Sequence, residues 1–126
     1  MTVLLPAVCQ GILALETRAG DPLAEAITGL SDPEVHAIAV AERAFLGGLG
    51  GDCSTPLGAL AEVVAGEVRL EAFLSSRDGS RVLRARARSA QAESAAAGEA
   101  AAEQVLAQGG RDLLAELHAE HAEAAP

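Results

Sequence analysis

The chain has no tryptophan, no tyrosine and no lysine, and only two phenylalanines and one methionine. Each absence excludes something. Without lysine there is no Schiff-base chemistry on a side-chain amine. Without an aromatic platform, single-stranded nucleic acid has nothing to stack on. All nine basic residues are arginine, and the formal charge of -9 opposes both a nucleic-acid partner and an anionic membrane surface. No apolar run reaches the length of a membrane span. The opening MTVLLPAVCQGILALE carries no basic residue before Arg18 and is interrupted at Pro6, Gln10 and Gly11, so it does not read as a signal peptide. The chain is therefore read as cytoplasmic, where its two cysteines stay reduced rather than forming a structural disulfide.

What is present is 126 residues, half of them apolar, enough for one domain or one domain with a piece of another. The core must be built almost wholly from Ala, Leu, Val and Ile. Residues 2–16 read as two short buried strands joined by an irregular piece around CQG. Asp21 as N-cap and Pro22 in the first turn predict a short helix ending near Gly29. Ser31 and Glu34 have capping-box spacing, and a longer helix follows from Pro33 to Leu46, stopped by Gly47 and Gly48. Its apolar stripe is Val35, Ile38, Phe45 and Leu49 with Ala41 between, while Glu34, Glu42 and Arg43 lie off it.

The period then changes from helical to two. LGALAEVVA, EVRLEAFLSS and RVLRARARS read as three strands joined by turns at AGE and RDGS. Val68, Leu70, Ala72 and Leu74 fall on one face of the middle strand, Arg69, Glu71 and Phe73 on the other. The Ala-rich segment after Ser89 predicts a helix closing at Gly109–Gly110, then a short last helix with Leu113, Leu114 and Leu117 and a frayed AEAAP tail. The fold class is α+β: a three-stranded antiparallel sheet with helices packed on one face, preceded by a remnant of a preceding α/β domain. Residues 1–18 are assigned to that remnant and 19–126 to the domain proper.

Most candidate chemistry has a plainer reading. Arg84, Arg86 and Arg88, two apart on a strand, form the wet face of a sheet opposite Glu67 and Glu71. His118 and His121 share a helical face as metal ligands would, but nothing joins them, and no metal site is assigned. His36 reads as a surface residue. No Gly-rich phosphate loop and no Ser-His-Asp grouping occurs. Cys9 reads as a small buried side chain, and the neighbouring Gln10 and Gly11 suggest an amide and backbone turned toward something polar. Cys53 sits in GGDCSTP, between a helix and a strand with glycine on one side and Pro56 on the other. That setting fits a thiol used covalently or an incidental loop cysteine.

Four stretches in order, LPAVCQGILALETR, DPEVHAIAVAERAFL, GGDCSTPLGA and DGSRVLRARAR, resemble the C-terminal part of porphobilinogen deaminase, the hydroxymethylbilane synthase family. The resemblance implies a transferase that joins four porphobilinogen molecules into hydroxymethylbilane with loss of ammonia, in tetrapyrrole biosynthesis. It implies a dipyrromethane cofactor held as a thioether on Cys53, with Gln10 and Gly11 approaching that cofactor. Cys9 stands where the family usually has Gly, Ile12 where it has Ala, and Asp52 where Gly is common. By the same resemblance the proton-handling aspartate and carboxylate-binding arginines belong to N-terminal domains. No catalytic residue is therefore assigned here, those domains are the expected partner, and the chain alone is expected to be catalytically incomplete. The alternative is a detached, non-catalytic domain acting as a binding or self-associating module.

Overall fold

A computed structural model describes residues 4–52 and 54–124. Two helices come first, α1 (Leu23–Thr28) and α2 (Pro33–Leu49), followed by β1 (Leu57–Val64), β2 (Glu67–Ser75) and β3 (Val82–Ala90). A single 3-10 turn, Gln91–Glu93, leads into α3 (Ser94–Val105). A widened turn, Leu106–Gly110, then leads into α4 (Arg111–Ala124). The strands form an antiparallel meander in the order β1-β2-β3. Leu57 faces Leu74 across the first pair, and Leu74 faces Leu83 across the second.

Period two sorts the sheet into faces as expected. Val68, Leu70, Ala72 and Leu74 are buried beneath α2 and α3, while Arg69, Arg84, Arg86 and Arg88 stay exposed on the outer face. Arg86 pairs there with Glu71 at 2.5 Å, and Arg69 with Glu67 at 3.0 Å. Such solvated pairs contribute little to stability. The core is filled by Phe45, Leu70, Leu74, Leu113, Val68 and Val105, with alanines between them.

Helix starts and stops differ from expectation in instructive ways. Asp21 does cap α1, its Oδ1 accepting the Leu23 N–H at 2.9 Å. In α2 the cap is Asp32 rather than Ser31: its Oδ1 accepts the N–H of Glu34 at 2.8 Å and of Val35 at 3.2 Å. Gly47 and Gly48 do not stop α2 but lie inside it, and the helix ends at Gly50 in the left-handed region, φ 62°. Gly48 is there for packing, since a Cβ on it would stand 2.7 Å from the Ala102 Cβ of α3. Val35 is 40% exposed and belongs to the surface, not the stripe. At the far end, α4 continues through Ala124, so the expected fraying of AEAAP is corrected as far as the described residues go.

The largest correction concerns the N-terminal segment. Residues 4–16 contain no strand. Leu5 is buried, but Leu13 is 93% and Leu15 61% exposed. Apolar composition by itself pairs with nothing, and among the described residues no strand runs beside 12–16. Residues 2 and 3 of the expected strand lie outside the described residues.

Candidate functional site

Cys53, the residue on which the sequence reading turns, lies outside the described residues; its neighbours are described. Asp52 organises them. Its Oδ1 accepts the Ser54 N–H at 2.8 Å, the Ser54 hydroxyl at 2.6 Å and the Thr55 hydroxyl at 3.2 Å. In return the Asp52 N–H donates to Thr55 Oγ1 at 3.1 Å, and the Thr55 N–H to the Asp52 carbonyl at 3.1 Å. These bonds favour the ionised carboxylate, the Ser54 hydroxyl most, and hold its pKa down to about 2. A side-chain oxygen closing a turn two residues on is the standard reason Asp occupies such loops.

The same end of the sheet carries the β2–β3 turn and α4. Ser75 N–H reaches the Pro56 carbonyl at 2.9 Å, tying the end of β2 to the loop. Asp78 repeats the Asp52 arrangement with Ser76 and Ser80. Arg77 pairs with Glu120 at 3.3 Å and Arg81 with Glu116 at 2.7 Å, fastening the turn to α4. His121 lies close enough for its charge to add to the lowering at Asp52. His118 and His121 are both exposed. Among the described residues no group of three metal-ligating side chains forms.

Gln10 and Gly11 occupy a tight turn elsewhere along β1. Gln10 N–H donates to the Ala7 carbonyl at 3.0 Å, Ile12 N–H to the Cys9 carbonyl at 3.1 Å, and Gln10 Oε1 accepts the Ala7 N–H at 3.1 Å. Cys9 adopts φ 58° and Gly11 φ 91°. The left-handed backbone at Cys9 is one that glycine takes without strain and cysteine does not. Pro6 lies opposite Ala59, whose N–H it accepts at 3.1 Å, and Cys9 lies near Ala61. Residues 6–9 thus run along β1 away from the 50–56 loop. At ~3.3 Å rise per residue, Ala61 is ~16 Å along the strand from Pro56.

Cys9 is half-buried rather than a core residue. Its Sγ is 3.9 Å from the Ala39 carbonyl. Burial, and then the nearby charge of Glu42, push its thiol pKa above the ordinary 9.0. Such a thiol is a poor nucleophile at neutral pH.

Glu42 is the residue that sequence reasoning missed. Placed off the apolar stripe by its charge, it is 4% exposed. One carboxylate oxygen accepts the Cys9 N–H at 2.7 Å and the other the Ala61 N–H at 2.9 Å. A signal existed: Glu42 stands four residues after Ile38 and three before Phe45, which is stripe spacing.

Comparison with known proteins points to one family. Residues 37–107, from early α2 through the sheet and α3, match the family model "Porphobilinogen deaminase, C-terminal domain". The chain is 46% identical over 115 residues to the porphobilinogen deaminase of Thermus thermophilus, covering 90% of this chain and 38% of that protein. It is 44% identical over 114 residues to the porphobilinogen deaminase of Roseiflexus castenholzii, and 41% identical over 114 residues to that of a further Roseiflexus species. Each Roseiflexus match covers 90% of this chain and 37% of the relative. The chain thus spans well under half the length of these curated relatives. Among the described residues no helix is long and apolar enough to cross a membrane.

Proposed function

The chain belongs to the porphobilinogen deaminase family, and on that premise we propose that it is the part of such an enzyme that carries a dipyrromethane primer on Cys53. Completed by N-terminal domains, it would join four porphobilinogen molecules into hydroxymethylbilane with release of ammonia. The observation that carries the choice of cysteine is the state of the other one. Cys9 is half-buried, and burial, with Glu42 nearby, raises its thiol pKa above the ordinary value, which supports Cys53 as the thiol that takes the primer.

Loading requires no oxidant. The Cys53 sulfur forms a bond to the aminomethyl carbon of a pyrrole, the carbon–nitrogen bond breaks, and the thiol proton leaves with ammonia. When bound, such a primer would supply the terminal pyrrole for porphobilinogen addition, and Cys53 is the residue that would hold it. The sequence neighbours Asp52 and Ser54 are exposed, which suits a tether that must reach outward. Among the described residues, the two arginines of the neighbouring β2–β3 turn are already paired with carboxylates of α4. Arg77 and Arg81 are committed to Glu120 and Glu116, and Asp52 is itself anionic. This supports assigning carboxylate recognition, and with it catalysis, to the N-terminal domains.

Intact-protein mass tests the proposal. The chain is combined with separately produced N-terminal domains of a family member and given porphobilinogen. A dipyrromethane adduct is expected on the wild type and on Cys9→Ser, and none on Cys53→Ser. An adduct that survives Cys53→Ser, or an unmodified wild-type chain within a formed assembly, overturns it.

A second reading, a detached binding or self-associating module without cofactor, is favoured by one observation: Leu4, Leu13 and Leu15 are 82%, 93% and 61% exposed. It predicts a dimer by sedimentation at micromolar concentration and no adduct in the mass experiment.

A further inference from the structure

Among the described residues the sheet has two edges, β3 met by side chains and β1 by one side chain and one backbone carbonyl rather than by another strand. At β3, Gln104 exchanges hydrogen bonds with the backbone of Arg86, donating to its carbonyl at 3.0 Å and accepting its N–H at 3.3 Å. Gln108 donates to the Arg84 carbonyl at 2.9 Å. Both glutamines stand on or just beyond α3, so that edge is closed by the body of the domain. At β1 the closure is different. The Ala59 N–H is taken by the Pro6 carbonyl and the Ala61 N–H by Glu42 Oε1. The other oxygen of the same carboxylate takes the Cys9 N–H. One buried side chain from α2 therefore clasps both the sheet edge and the segment lying along it.

The segment 4–12 is otherwise lightly held. Its turn is closed by its own bonds between Ala7, Gln10, Cys9 and Ile12. Leu5 is buried and Val8 rests against the core, but residues 13–16 are exposed. Among the described residues, apart from the Pro6 carbonyl and the weak Cys9 Sγ contact, the polar attachment to the rest of the domain passes through Glu42. The carboxylate bonds are charge-assisted and shielded from water, so each is worth more than a surface hydrogen bond. Its loss would leave two N–H groups without acceptors, which a folded chain tolerates only by opening the segment to water.

We propose that Glu42 is the latch of a releasable strap, residues 4–12, and thereby the positioning residue for the Gln10–Gly11 turn. The latch stands on the geometry alone; its bearing on a cofactor rests on the function proposed above. With both oxygens engaged, the turn is set against α2 and β1. With the carboxylate removed, the strap lifts as a unit while the three-stranded sheet and α3 stay folded.

Cys9 reports on the strap directly, because lifting it exposes the thiol and moves it away from Glu42. The measurement is the rate of alkylation at Cys9, read by mass on its peptide with Cys53 as internal reference. It is made beside amide hydrogen exchange at Ala61 and at Leu70 of the central strand. Glu42→Gln keeps one acceptor and Glu42→Ala none, so the expected order of Cys9 labelling is wild type, then Gln, then Ala. The last should be at least tenfold faster than wild type. Ala61 loses protection in step, and Leu70 keeps it. Equal labelling in all three, or labelling that rises only with loss of Leu70 protection, overturns the latch. Should Glu42→Ala not fold, the wild type in rising urea decides. Cys9 and Ala61 opening together before Leu70 supports the strap, and opening with Leu70 sinks it. No dipyrromethane enters these measurements, so their failure is distinct from failure of the proposed function.

Discussion

Gly98 and Ala41 meet backbone to backbone. A Cβ on Gly98 would overlap the Ala41 carbonyl oxygen and stand 2.7 Å from both the Ala44 Cβ and the Phe45 nitrogen. Gly98→Ala gains up to ~1 kcal/mol of helix propensity but forces α3 away from α2. Because the obstructing atoms are backbone, the net loss should be about 3 kcal/mol by urea denaturation. Gly48→Ala meets a side chain instead, the Ala102 Cβ at 2.7 Å. It should cost ~1–2 kcal/mol, and adding Ala102→Gly should recover part of that. Simple additivity in the pair would show that the two helices do not pack at this point.

The two phenylalanines should differ sharply. Phe45 is fully buried between α2, α3 and the sheet, whereas Phe73 is half-buried on the outer face. Phe45→Ala is expected to cost ~3–5 kcal/mol, a large share of the stability of any domain this size. Phe73→Ala should cost less than half of that. Equal losses would contradict the assignment of faces.

Ala65 carries φ 52° in the turn joining β1 to β2, followed by Gly66 at φ 77°. Two consecutive left-handed residues favour Asn-Gly, and an alanine in the first position costs ~1 kcal/mol or more. Ala65→Asn should therefore stabilise the protein by ~1 kcal/mol, visible as a raised thermal midpoint. An unchanged or lowered midpoint would argue against this turn geometry.

The carboxyls of Asp52 and Asp78 should titrate at about 2, held down chiefly by the hydroxyls of Ser54 and Ser76 respectively. Both pKa values are depressed, so what these turns contribute to stability is complete above the ordinary carboxyl value of 3.8 and disappears as pH falls through about 2. Carboxyl NMR through an acid titration checks this, and Ser54→Ala should move the Asp52 midpoint upward. A wild-type midpoint near 4 would show that the hydroxyl bonds do not form in solution.

The alternation of Val68, Leu70, Ala72 and Leu74 with Arg69, Glu71 and Phe73 told both the strand and its faces, because in a sheet the neighbour two residues away decides which side is wet. The turns at Gly66 and Asp78–Gly79 were legible for a similar reason, since turn chemistry is local. Glycine was harder to read. Gly47 and Gly48 look like a stop, but a glycine that lets two helices touch and a glycine that ends a helix are the same letter. Only the position of Ala102, fifty-odd residues on, separates them. The N-terminal leucines misled for the opposite reason: a strand needs a partner, and an apolar run does not name one.

By itself the sequence determined the meander, the order and approximate bounds of the helices, and the family to which the chain belongs. Each of these follows from residue spacing within a short window or from motifs in a fixed order. Tertiary structure alone decided that Glu42 is buried, that burial and Glu42 raise the thiol pKa of Cys9, and that Asp52 closes the turn across Thr55. A carboxylate's environment is set by which distant N–H groups arrive beside it, and nothing in the spacing of Glu42 states that Cys9 and Ala61 will both do so.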